Sequence, residues 1–235
     1  MINLTSRSAK KELLDSDEIP FADIRQNMQE LNVINTHLGG HAISIKGIKK
    51  LLRVSTKEKP LTICEIGCGG GDNLQAIHRW CRDKKIAATF TGIDIKLECI
   101  DFAKQQYPML DSVWITQDYR KVSFGGQKPD IIFSSLFCHH FTEQQLVDML
   151  QWMQQQSRHG FFINDLHRHW LAYYSIKLIT RIFSRSYLVK NDAPLSVARG
   201  FTLTDWDRIF TAAGIKNYSI RWKWAFRHLI VYNHE

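Results

Sequence analysis

No apolar run in this 235-residue chain approaches the length that spans a bilayer, and Met1–Arg7 lacks the apolar core of a secretory leader. Those absences exclude stable membrane insertion and lead to the expectation of a soluble, cytoplasmic protein. Cysteine is sparse: Cys64, Cys68, Cys81, Cys99 and Cys138 are odd in number and lack the paired spacing of a zinc site. Reduced thiols follow more naturally than a disulfide framework. Long runs of one charge are missing too. The formal net charge is +8, yet basic residues cluster only briefly, at Lys10-Lys11, Lys49-Lys50 and Lys84-Lys85. A nucleic-acid surface concentrates its charge in a patch or stripe, so this pattern fits a solvated surface and no nucleic-acid partner. Neither an internal repeat nor a low-complexity segment is present.

A hydrophobic fraction of 44% is enough for one domain over residues 1–235 with a substantial core. Residues 1–19 are polar and read as frayed. Phe21, Ile24, Met28, Leu31, Val33, Ile34 and Leu38 then recur at helical spacing, and Gly39-Gly40 stops that helix. A second helix carries Ile43, Ile45, Ile48, Leu51 and Leu52, and Thr56–Pro60 reads as a linker. Strand-like runs at Leu61–Ile66, Ala88–Ile93, Ser112–Ile115, Ile131–Ser134 and Phe161–Ile163 follow, with helical patterns at Asn73–Arg82, Leu97–Gln105 and Glu143–Gln155. Nearly continuous apolar strands in βα alternation imply an α/β fold with a doubly wound, mostly parallel sheet. Leu166–Tyr187 reads as one long aromatic-rich helix and Asn191–Pro194 as a loop. Thr202-x-x-Asp205 opens a closing helix as a variant capping box. Tyr218–Trp224 and Leu229–Tyr232 then form a terminal antiparallel hairpin.

The chemistry concentrates in Leu61–Leu74, an apolar strand, a glycine-rich turn and a helix start. In a dinucleotide fingerprint the third glycine falls three residues after the second; here that position is Asp72, and Glu65 stands just upstream. Two carboxylates repel a pyrophosphate, which argues against a dehydrogenase. They suit a ligand bearing an ammonium and a sulfonium, such as S-adenosylmethionine. Asp94 ends the second strand at the distance a βαβ unit imposes, where it can accept from ribose hydroxyls. Asp118, beyond the third strand, can accept from an adenine amino group. Ser134 and Ser135 end the fourth strand, followed by Cys138, His139 and His140. A neutral imidazole there can take the proton of a phenol or enol; a packing role for the pair is the other reading. Asp165 with His167 and His169 falls short of a metal-ligand set, so no metal is expected.

The Glu65-x-Gly67-x-Gly69-x-Gly71 sequence resembles the first motif of class I S-adenosylmethionine-dependent methyltransferases. The resemblance implies a Rossmann-like core over residues 61–165 and cofactor contacts from Glu65, Gly67, Cys68, Gly69, Gly71, Asn73, Asp94, Ile95, Gln117, Asp118, Tyr119, Ser134 and Ser135. The fourth strand lacks the Asn/Asp-Pro-Pro-Tyr/Phe of amino-group methyltransferases, and Cys138 lacks the preceding proline of pyrimidine-ring ones. Glu30–His41, Asn164–Tyr173 and Asn191–Arg199 are similar to bacterial methyltransferases of secondary metabolism, some of which accompany type III polyketide synthases. That likeness implies a helical cap over residues 1–56 with Gly39 and Gly40 near the methionine end. It also implies a lid over residues 166–200 and a closing helix and hairpin over 201–235. Trp170, Tyr173, Tyr174, Ile179 and Phe183 then either line an apolar acceptor pocket or pack against the sheet. Lys177, Arg181 and Arg185 leave a weak membrane-surface association open. The implied reaction is in-line methyl transfer to a hydroxyl of a small aromatic or polyketide-like acceptor, with His139 and His140 as catalytic candidates. Quinone-type ring-carbon methylation, RNA methylation and a non-catalytic cofactor-binding role are the alternatives.

Overall fold

The computed structural model describes residues 3–15, 19–52 and 59–234. Part of the expected linker, residues 56–58, lies outside the described residues, as do 1–2 and 16–18 of the segment read as frayed. Among the described residues seven strands form one sheet: β1 (Leu61–Ile66), β2 (Ala88–Asp94), β3 (Ser112–Thr116), β4 (Ile131–Ser135), β5 (Gly160–Leu166), β6 (Tyr218–Lys223) and β7 (Arg227–Asn233). Their order is β3-β2-β1-β4-β5-β7-β6. The first five run parallel, and β7 pairs antiparallel with both β5 and β6. The order reverses between β1 and β4, and a crevice opens beyond the carboxyl ends of strands at such a switch point. The strands read from the sequence are all present, within one to three residues at their ends.

Helices cover both faces because the central strands are apolar on both. Cys64, Ile66, Ile132, Phe161 and Ile163 pack on one side with α5 (Glu143–Gln156) and α8 (Leu203–Ala212). Ile63, Phe90, Ile131, Phe133 and Phe162 pack on the other with α2 (Gly40–Leu51) and α3 (Asp72–Asp83). Gly47 sets how closely α2 lies on β5: a Cβ there would stand 2.5 Å from the Phe162 ring. The remaining helices are α1 (Phe21–His37), α4 (Leu97–Gln106), α6 (Trp170–Phe183) and α7 (Tyr187–Arg199).

Three expectations are corrected. The stretch 166–187 is not one helix. Leu166 completes β5, His167 bridges to Phe201, and α6 begins where the His169 ring accepts the Leu171 N–H. Asn191–Pro194 is not a loop but lies inside α7, where Asp192 accepts the backbone N–H groups of Leu13 and Leu14. Pro194 deprives the helix of one donor, and these tertiary bonds override its breaking tendency. Residues 3–15 are not frayed. Arg7 donates to the carbonyls of Arg199 and Phe141, Ser8 donates to that of Ala198, and Glu12 is buried.

Candidate functional site

One cavity of about 720 Å³ lies at the carboxyl ends of β1, β2 and β4. At one end is the glycine-rich turn. Gly67, at φ +67°, leaves room for the Phe137 ring, which a Cβ would meet at 2.2 Å. Gly69, at φ +49°, turns its bare face to open space, where nothing lies within 4 Å of a Cβ. Asp94 fixes that turn: one carboxylate oxygen accepts the Gly69 N–H at 2.8 Å and the other the Lys96 N–H at 2.9 Å.

Several buried polar atoms at this end have no hydrogen-bond partner among the described residues. They are Glu65 Oε2, Asn73 Oδ1 and Arg227 Nη1, all on residues that line the cavity. Burial, reinforced by Asp72 and Asp94, raises the Glu65 carboxyl well above its usual range. A cationic ligand would relieve that penalty. Burial lowers the Arg227 guanidinium to about 10, against the opposing pull of Asp165 and Asp72. Two orphan acceptors and an orphan cationic donor together match an amino-acid head group, with its ammonium and carboxylate. Asp72 accepts from His41 Nε2 at 2.7 Å, and Asn35 joins Arg227 to this group through a 2.7 Å bond.

The cofactor candidates Glu65, Gly67, Cys68, Gly69, Asn73, Asp94, Ile95, Gln117, Asp118, Tyr119 and Ser135 all line the cavity. Gly71, Ser134, Gly39 and Gly40 do not. Ser134 is fully buried with its hydroxyl on the Cys138 thiol. The Gly40 carbonyl accepts from Asn164, and Gly39 makes the left-handed hinge between α1 and α2. Both Asp118 oxygens already accept from the Arg120 guanidinium, which holds this carboxyl below its usual range. Only lone pairs left over from that ion pair are available to an adenine amine.

At the other end stand His139 and His140. His139 Nδ1 lies 2.8 Å from Asp165 Oδ1, and its Nε2 lies 3.5 Å from Glu12. His140 Nδ1 lies 3.0 Å from Asp15, with its Nε2 3.7 Å from Glu12. Leu136, at φ +53°, turns the chain after β4 so that the Phe137 and Cys138 N–H groups both donate to Asp165 Oδ2. Although burial pushes them up, the His140 contact brings Asp15 down to about 2 and the His139 contact holds Asp165 below its ordinary value. Glu12 is raised, chiefly by burial. One side-chain N or O atom from each of Glu12, His139 and His140 lies within 4.8 Å of the others.

The walls between the two ends are apolar, with Met28 and Leu31 from α1, Ile176 and Ile179 from α6, and Trp224 and Phe226 from the β6–β7 turn. Of the five aromatic and aliphatic residues expected to line a pocket or pack on the sheet, only Ile179 lines it; Trp170, Tyr174 and Phe183 are exposed. His167 and His169 do not line it either. His169 caps α6 and stacks on Phe226. The sequence alone gave no signal for Glu12, Asp15 or Arg227, which reach the site only through tertiary packing.

Residues 63–160 match the family model of a methyltransferase domain. This is the class I methyltransferase fold. The plantazolicin methyltransferase BpumL, solved in complex with S-adenosylhomocysteine, is 16% identical and superposes with a TM-score of 0.65, over 94% of this chain and 91% of that one. Human N-acetylserotonin methyltransferase, solved with S-adenosylmethionine, is 14% identical with a TM-score of 0.63, over 91% of this chain and 56% of that one. No curated protein matches the chain by sequence. The methyltransferase domain and these complexes are consistent with S-adenosylmethionine as cofactor, and the orphan groups beside the glycine-rich turn fit it.

Proposed function

We propose that the chain methylates a hydroxyl of a small, apolar, aromatic or polyketide-like acceptor. The observation that carries this reading is the continuity of one cavity from the glycine-rich turn to the Glu12–His139–His140 cluster. At the turn, Glu65 and Asn73 would receive the cofactor's ammonium, Arg227 its carboxylate and Asp94 its ribose hydroxyls. Ile95, Gln117, Asp118 and Tyr119 would surround the adenine. When bound, the cofactor supplies a methyl group already activated by its sulfonium. The protein's task is therefore alignment and the exclusion of water. Asp165 orients His139 through Nδ1, and Nε2, 3.5 Å from Glu12, would take the acceptor's proton. The described part of residues 1–56 would act as a cap and residues 166–200 as a lid over this cavity. The stretches Asn164–Tyr173 and Asn191–Arg199 support a polyketide-like acceptor.

Calorimetry with S-adenosylhomocysteine and turnover with a panel of phenols, read by product mass, test the reading. Binding followed by methylation is expected, and magnetic resonance of the product separates oxygen from ring-carbon attack. His139→Gln should lower kcat by about 10²–10⁴-fold while cofactor affinity holds. Failure to bind the cofactor product near saturation would overturn the proposal.

A further inference from the structure

Helix α6 is built inside out. Its side chains fall into four rows at i, i+4 spacing. Trp170, Tyr174, Leu178 and Ile182 form one row and are exposed to 60%, 46%, 60% and 62%. The adjacent row, Leu171, Ser175, Ile179 and Phe183, ends in a Phe183 exposed to 78%. The row turned to the protein holds Ala172, Ile176 and Thr180, of which Ala172 and Thr180 are buried. An ordinary surface helix shows the reverse, with its large apolar residues inward.

The patch continues past both ends of the helix. Near the carboxyl end, Val33 of α1 lines a shallow groove with Ile179 and Phe183. Near the start, Trp170 adjoins His169, whose ring stacks on Phe226 and so brings up the β6–β7 turn with its exposed Trp222 and Trp224. A contiguous apolar surface of this kind marks an interaction site. α6 and this turn also supply Ile176, Ile179, Trp224 and Phe226 to the cavity wall, so the patch runs directly into the site.

Charge indicates the partner. Between Asp165 and Asp192 the sequence has no acidic residue, but it has Arg168, Lys177, Arg181, Arg185 and Lys190. Lys177 and Arg181 occupy the fourth row of α6, exposed beside the apolar ones. Lys223, by the turn, lies in the field of Lys46, Lys50 and Arg221. The nearby acids of α1 are engaged, Glu30 by Ser184 and the backbone of Arg185 and Ser186, and Asp23 by Tyr187. At 14 residues, α6 is about 21 Å long, too short to cross a bilayer. An apolar face edged with Lys and Arg and bearing Trp and Tyr is what lies in a lipid interface.

We propose that α6 and the β6–β7 turn dock on an anionic lipid bilayer, and that an apolar acceptor passes between the bilayer and the cavity along this face. The passage rests on the methyl transfer proposed above; the docking does not. Flotation of the full chain with vesicles of phosphatidylcholine, or of phosphatidylcholine mixed with phosphatidylglycerol, tests it. The chain should float with the mixed vesicles, and less so as salt rises. Leu178→Glu with Ile182→Glu should lower partitioning at least about tenfold. Lys177→Glu with Arg181→Glu should lower it about fivefold per charge on mixed vesicles only. None of these four residues lines the cavity. Unchanged S-adenosylhomocysteine affinity therefore shows that each variant is folded, and it reads the cofactor proposal independently of docking. No flotation, or flotation that neither pair of substitutions weakens, would overturn the proposal. So would a dimer in light scattering that Leu178→Glu with Ile182→Glu dissociates while vesicles are ignored, since a second copy would then own the face.

Discussion

Asp94 illustrates how one side chain serves both the fold and the site. Its two oxygens hold the Gly69 and Lys96 N–H groups, so it shapes the turn it is proposed to complement. Asp94→Ala should weaken S-adenosylhomocysteine binding by about 1–3 kcal/mol, read by calorimetry on a variant shown to be folded. Gly69→Ala separates stability from binding: the left-handed backbone costs about 1–2 kcal/mol, and the added methyl enters open cavity rather than protein. Binding should therefore fall further than the denaturation midpoint. Because burial raises Glu65, a cationic ligand should drive off its proton. Titrations in buffers of different ionisation enthalpy should show net proton release on S-adenosylmethionine binding below that raised pKa. The glycine-rich turn was legible because its residues are neighbours in sequence and their backbone demands are local. Glu12 was not, because its burial depends on α7 and on the turn after β4.

Elements with local signals were also legible. Thr202 accepts the Asp205 N–H and Asp205 accepts the Thr202 N–H, the reciprocal pair expected of the capping box. Thr202→Ala should cost about 1 kcal/mol in urea unfolding. It should also loosen Arg168, whose guanidinium shares the Asp205 carboxylate. The strands were readable from their apolar runs. The break between α6 and α7 was not, because helical spacing carries through Ser184–Ser186, where Glu30 of α1 captures the backbone. Pro194 misled for the complementary reason, since bonds from distant residues hold α7 continuous through it.

At the scale of the whole molecule, acid should undo the network around the histidines. The Asp15 pKa falls from 3.8 to about 2 on folding, and Asp165 is lowered as well. Their stabilisation is complete above the unfolded value and is lost as pH falls through the folded one. Glu12 and Glu65 are raised, so their pH dependence runs the other way: stability is full below their unfolded values and is lost as pH rises through the folded ones. Chemical denaturation should therefore show stability dropping steeply from about pH 4 towards 2, and Asp15→Asn should flatten that drop.

The Arg7 side chain meets the Arg199 carbonyl across 192 positions of sequence. Closing so long a loop costs more chain entropy than any local contact, so the segment around Arg7 takes its seat late in folding. Glu12 and Asp15 travel with that segment, so the imidazole pair acquires two of its carboxylates only after the sheet has formed. Deleting residues 3–15 should leave the sheet assembled while the chemistry it surrounds stays incomplete.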